Sequence, residues 1–298
     1  MGKKSRRLKI VYKVEYFICL IVMKFISLIP RSIGLSIGRI IGVLVYLVDR
    51  RHRVLVIKNF KRVYRGKNRA WYHKITRDNF RNFGMLLFEF FKISQLTEKE
   101  IIGILRLEGE ENLREALSNG RGVFLMSAHL GNWELVGAGL SLLRLPINVI
   151  VKSIRNPYIN KIIIRQRRSA GINVIPAKGA LKKILYALKN NEIICFLMDQ
   201  SSSKKDGINV KFFDIPAWTN IGLIVLALKT GAPVIPTFAI REGNNHKVIF
   251  QKPFNLIRTG NNRVDIRENC LRMNKLIEQI ILDYPSQWFW VHNRWKKR

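Results

Sequence analysis

Residues 122–143 read GVFLMSAHLGNWELVGAGLSLL. The first seven, Gly122 to Ala128, form an apolar run behind Asn119-Gly120, too short for an ordinary helix and bounded like a buried strand. That places His129 at a strand end. From Glu134 to Leu143 the chain is apolar and helix-compatible, with Asn132 placed to cap the helix and Gly131 to supply the tight turn. In one continuous helix the five-residue step from His129 to Glu134 would put the two side chains roughly 140° apart, whereas a strand-turn-helix join can bring them together. A carboxylate on one imidazole nitrogen fixes the tautomer and leaves the other nitrogen as a base. Spacing alone describes an ordinary polar pair equally well; position favours chemistry, because open α/β sheets place their sites where strand ends face helix N-termini.

Working outward, the chain alternates. Strands are predicted at Ile147 to Val151, Ile172 to Ile175, Glu192 to Met198 and Val234 to Ala239, and helices at Tyr158 to Ser169, Ala180 to Leu188, Asn220 to Lys229 and Val264 to Leu282. This predicts an α/β fold, a mixed and largely parallel sheet covered by helices. The 298 residues suffice for a sizeable core and show no internal repeat. Cys19, Cys195 and Cys270 form no CxxC pair, which argues against zinc and a disulfide framework and agrees with a reducing compartment.

The net charge of +33 is extreme and points to an anionic membrane, acidic partners or nucleic acid. Upstream, Lys3, Lys4, Arg6, Arg7 and Lys9 precede two apolar stretches, Tyr16 to Ile29 and Ile33 to Val48. Each stretch is interrupted by one base and bracketed by others, the pattern of an anchor or an interfacial hairpin, with two core-buried helices as the competing reading. No A-x-A cleavage site follows. The expected organisation is a membrane-associated segment over 1–50 and a catalytic α/β domain over 51–298, with the bulk on the cytoplasmic face. The basic, aromatic-interleaved stretch Arg51 to Arg81 suits lipid phosphates better than nucleic acid, for which no motif is present.

Asp199 follows a buried strand as His129 does, so the two share a cleft if those strands are neighbours; alternatively Asp199 begins a turn. Arg165, Arg167 and Arg168 lie in one helical turn, and one of them can serve as an anion clamp. Thr219-Asn220 reads most simply as a helix cap. The tail YPSQWFWVHNRWKKR, residues 284–298, is either core-docking or an interfacial aromatic belt.

His129-Leu130-Gly131-Asn132-Trp133-Glu134 matches an H-x4-D/E box with a GNW centre, and Arg167 with Gly171 an R-x-x-x-G element. Asp199-Gln200 matches a strand-end DQ, Lys211-Phe212-Phe213 with Ala217 and Thr219 an FFG-then-Thr segment, and the tail a WxHxRWK pattern. Together they resemble the bacterial lipid A biosynthesis acyltransferases, lauroyl and myristoyl transferases of the glycerolipid acyltransferase superfamily, over most of the chain. Asp214 stands where that family has glycine, which puts the local turn in question.

The resemblance implies an inner-membrane O-acyltransferase that needs no metal, cofactor or covalent intermediate. It would move a fatty acyl chain from an acyl carrier protein or coenzyme A thioester to a hydroxyl of a phosphorylated lipid A precursor. His129 would be the base and Glu134 would hold its imidazole; Arg167 and Asp199 would position substrate or support the site, and amides near Gly131 and Asn132 would face a developing oxyanion. The rival readings are an acyltransferase acting on another glycolipid or phospholipid and, in a different class, a membrane-tethered nucleic-acid-binding protein.

Overall fold

The computed structural model describes residues 3–296, with side chains from residue 8 onward; residues 1, 2, 297 and 298 lie outside the described residues, as do the side chains of the basic run at 3–7 and that of residue 142. Four helices come first: α1 (Lys3–Leu28), α2 (Arg31–Val48), α3 (Arg50–Val63) and α4 (Arg69–Lys92). Alternation then begins with α5 (Glu98–Ile104), β1 (Leu105–Glu108), α6 (Glu110–Ser118), β2 (Val123–Ser127), α7 (Glu134–Leu142), β3 (Ile147–Val151), α8 (Pro157–Ser169), β4 (Ile172–Pro176), α9 (Ala180–Lys189) and β5 (Ile193–Leu197). A hairpin β6 (Gly207–Phe212) and β7 (Ile215–Asn220) interrupts it before α10 (Gly222–Thr230), β8 (Val234–Glu242), β9 (Asn245–Phe250) and α11 (Asn262–Asp283).

Seven strands make one sheet in the order β1-β9-β8-β2-β5-β3-β4, parallel except where β9 turns back along β8. β2 lies at its centre, and its alternate residues serve two cores. Phe124 and Met126 join Phe60, Ile277 and the tryptophans of the tail on one face, while Val123 and Leu125 join Leu113, Val136 and Ile172 on the other. A strand buried on both faces must be apolar throughout, which is why GVFLMSA shows no alternation.

The sequence missed three strand features. β1 and β9 each carry charged or polar residues, so neither reads as an apolar run, and β6-β7 is an unexpected hairpin that ends at Thr219-Asn220, where the Asn220 side chain still accepts from Gly222 N at 2.8 Å at the start of α10, as the cap reading expected of it. Thr219 is instead buried in β7, where it accepts from Arg294 Nη2 at 2.7 Å. The β6-β7 turn carries Phe213 at φ 51° and Asp214 at φ 57°, the left-handed pair a two-residue hairpin turn demands and glycine adopts most cheaply. The turn survives the glycine-to-aspartate departure because aspartate tolerates this region better than most residues.

α2 packs on α4 through glycines. A Cβ on Gly38 would lie 2.7 Å from the carbonyl oxygen of Gly84, so the helices meet backbone to backbone. The opposite face is apolar and open: Ile40, Leu44, Leu47 and Val48 are exposed, as are Phe17, Ile21, Phe25 and Leu28 of α1. By length and composition α2 is apolar enough to cross a membrane, with a mean hydropathy of 1.6. Leucine at Gly38 is expected to push the helices apart, cost about 1–3 kcal/mol and lower the unfolding temperature in detergent by several degrees. Ile40→Leu, on the exposed face, should leave that temperature unchanged.

Candidate active site

β2 and β5 are adjacent and end in register, Ser127 opposite Leu197, so the chain leaves the sheet at His129 and Asp199 side by side. The result is a short contact, Asp199 Oδ1 to His129 Nδ1 at 2.8 Å. Asp199 is buried, and its other oxygen accepts from Trp288 Nε1 at 2.7 Å. Burial alone would raise this carboxyl's pKa, but His129 and Trp288 more than offset it and hold it below the ordinary value. A carboxylate with donors on both oxygens places the imidazole proton on Nδ1. The lone pair is then on Nε2, where the Gln200 side-chain amide donates at 3.2 Å. The ring packs in a three-ring cluster with Trp133 and Phe289, its centroid 4.9 and 5.9 Å from theirs and theirs 6.3 Å apart, and is about one-fifth exposed, at 19%.

The carboxylate that holds the imidazole is therefore Asp199, which corrects the expected His129–Glu134 contact. Glu134 opens α7, and its carboxylate faces α8, where Arg167 grips it with both Nε (3.0 Å) and Nη2 (2.7 Å). Trp133 Nε1 adds a third donor at 3.1 Å. The fork-to-carboxylate geometry is the one arginine alone presents. Burial would lower the Arg167 pKa, yet the bond and charge of Glu134 raise it on balance. Of the three arginines in the α8 turn, Arg167 is the one that reaches the site.

Gly131 and Asn132 shape the loop between them. Gly131 sits at φ +58° against the Ala239 carbonyl, with no room for a side chain. Its amide donates to the Gln287 carbonyl at 3.1 Å, so it is committed to the loop rather than turned toward an oxyanion. Asn132 does not cap α7 through its side chain. Its amide donates to Glu89 Oε2 at 2.9 Å, inside the protein. Glu89 also accepts from Arg31 (2.7 Å), His246 (2.9 Å) and Arg241, tying α2, α4, β8 and β9 to the motif loop. Burial would raise the Glu89 pKa; the donors from His246 and Arg241 drive it well below the carboxylate range instead. Sequence reading passed over Glu89, although a lone carboxylate inside NFGMLLFEFF is itself a signal, since an unpaired buried charge is too costly to keep.

The tail docks into the core: Trp288, Trp290 and Trp295 are buried, which settles the choice against an interfacial belt. Phe289 N donates to the His129 carbonyl at 2.9 Å, and the Ser201 amide to His292 Nε2 at 2.9 Å. Burial, opposed by Asp199 and reinforced by Arg294, pushes His292 down to about 4, so it is neutral at physiological pH. Folding against a depressed histidine costs stability as pH falls from the imidazole's ordinary range toward that value.

His129, Glu134 and Arg167 open onto a cavity of about 700 Å³. Its walls are largely apolar, with Ile41 and Val45 of α2, Phe83, Leu87 and Phe90 of α4, Ile150 at the end of β3, Ile163 of α8 and Phe289, while Asp49, His52 and Lys152 add polar groups to the lining. A slot with mostly hydrocarbon walls, an oriented base and the cations of Arg167 and Lys152 suits a long apolar chain carrying a reactive carbonyl. Among the described residues, no cluster of three or more His, Cys, Asp or Glu is placed to hold a metal ion.

Comparison with known proteins gives the same reading. The family model for bacterial lipid A biosynthesis acyltransferases matches residues 1–297. The chain is 25% identical over 274 residues to a lipid A biosynthesis palmitoleoyltransferase of Escherichia coli, covering 91% of this chain and 87% of that one. It is 24% identical over 280 residues to the lauroyltransferase of the same organism, covering 93% and 90%. A phosphatidylinositol mannoside acyltransferase of Mycobacterium tuberculosis is 27% identical over 168 residues, 54% of this chain and 53% of the relative. With relatives named for acyl transfer to two kinds of glycolipid, and a family match across nearly its whole length, the chain belongs to the bacterial lipid A biosynthesis acyltransferase family and is an O-acyltransferase.

Proposed function

We propose that the protein transfers a fatty acyl group from an acyl carrier protein thioester to a hydroxyl of a phosphorylated lipid A precursor, at the cytoplasmic face of the inner membrane. The observation that carries the mechanism is the Asp199–His129 contact, because it leaves the lone pair on Nε2, where an acceptor hydroxyl displaces the Gln200 amide to reach the base beside an apolar slot. His129 Nε2 takes the acceptor hydroxyl proton as that oxygen attacks the thioester carbonyl. The C–O bond forms, the tetrahedral intermediate collapses, the C–S bond breaks, and the imidazolium returns the proton to the departing thiolate. Asp199 stabilises the transient imidazolium. Arg167, held in place by Glu134, presents its cation to the cavity for the negative charge of the intermediate or of the acceptor phosphate, so Glu134 acts through Arg167. The 1–50 segment attaches the domain to the membrane, and the open apolar faces of α1 and α2 support this.

Acylation of another glycolipid is the second reading, favoured by the mannoside-acylating relative. Lipid mass spectrometry of cells with and without the gene separates the two. Loss of one secondary acyl chain from lipid A supports the first reading, loss from a different glycolipid the second, and an unchanged lipid profile with an inactive purified protein overturns both.

A further inference from the structure

Between Glu134 and Glu192 the chain carries no acidic residue over 135–191 and eleven basic ones. The run covers α7, β3, α8, β4 and α9, one whole flank of the sheet. α8 sorts its own charges by direction. At about 100° per residue, Ile163 and Arg167 share the side that lines the catalytic cavity, Ile162 and Gln166 are buried, and Lys161, Arg165 and Arg168 fall within roughly 60° of one another on the outer side. These three are exposed and surround a shallow surface hollow together with Ile164 and Ser169. None of the three is in an ion pair among the described residues. Cations gathered with no carboxylate to answer them cost self-repulsion, and an acidic partner relieves it.

We infer that the outer face of α8, through Lys161, Arg165 and Arg168, docks the acidic acyl carrier protein so that its thioester-bearing arm enters the cavity on the other side of the same helix. The inference rests on the carrier-protein donor proposed above. An anionic lipid surface is the other occupant that charge alone would allow, and side-chain exposure argues against it. Lipid-binding faces set cations beside exposed apolar side chains, as α1 and α2 do and as α9 does with Leu181 and Tyr186, whereas no large apolar residue of α8 itself is exposed. The outer face of α8 thus fits a folded acidic surface that meets charge with charge.

The test replaces all three residues in the full-length protein, K161E/R165E/R168E, and compares two donors, an acyl carrier protein thioester and a neutral acyl-pantetheine thioester. With the carrier-bound donor at low salt, kcat/KM is expected to fall by about 10- to 100-fold, the range that electrostatic steering supplies, and the steep salt dependence of the unaltered protein should flatten. With the pantetheine donor the change should stay within about twofold, since no substituted residue faces the cavity. Single variants R165E and K161E, each with a smaller loss on the carrier-bound donor alone, serve if the triple variant folds poorly. Equal losses on both donors, or none on the carrier-bound one, would overturn the docking face. So would loss of binding to phosphatidylglycerol vesicles in the variant, which would assign the stripe to the membrane. An unaltered protein that uses the pantetheine donor and ignores the carrier-bound one would sink the donor reading itself, before any variant is compared.

Discussion

Alanine at His129 is expected to lower turnover by about 10²- to 10⁴-fold, the usual share of a positioned general base. The substitution removes Nε2, the acceptor of the hydroxyl proton, and leaves Asp199 Oδ1 buried without its donor. That vacancy costs about 1–3 kcal/mol of stability, so the loss of rate has to be read against a thermal melt. KM for the acyl donor should move little, because the apolar walls that hold the chain are untouched. A purified His129→Ala protein that is folded and turns over at the unaltered rate would remove the base from the mechanism.

Asparagine at Asp199 is expected to cost kcat nearly as much, about 10²- to 10³-fold, though it adds or removes hardly an atom. Trp288 Nε1 still needs an acceptor, so the asparagine oxygen stays with it and the amide NH₂ faces the imidazole. A donor at Nδ1 forces the histidine proton to Nε2, where the base should be. Glu134→Gln should behave differently: one oxygen can still accept from Arg167, so kcat falls by less, about tenfold, and KM for the anionic acceptor rises. Measuring both parameters for both variants tests which carboxylate serves the imidazole. If Glu134→Gln matches Asp199→Asn in kcat with KM unchanged, then Glu134 and not Asp199 is the partner of the base during turnover.

The difference between those carboxylates marks where the sequence stopped being readable. The strand, the turn and the helix around His129 are local patterns, and each formed within a residue or two of its expected bounds. Glu134 is close in sequence and was the natural partner on that basis. The actual partner lies 70 residues away and is brought in by strand pairing, which no local pattern specifies. Asp199 was recognisable as a strand-end group, but its orientation depends on Trp288, 89 residues further on. Asn132 illustrates the same limit from the other side: asparagine before an apolar helix is a good cap by propensity, and a buried carboxylate 43 residues upstream claimed it instead. β1 and β9 were invisible because an edge pair with polar residues carries too little hydrophobic signal over four to six residues.

The docked tail sets an order of events during synthesis. Gln287, Trp288 and Phe289 hold Gly131, Asp199 and His129 respectively. At roughly 5–20 residues per second, Trp288 is made some ten to thirty seconds after His129. Asp199 is itself made partway through that interval, and until Trp288 follows it has no indole to fix it. The growing chain therefore carries its histidine motif for a time without an oriented base, and the imidazole is fixed only when the stretch around Trp288 has closed over it. A ribosome that releases the chain before Trp288 leaves a fragment with the histidine motif and no fixed proton acceptor.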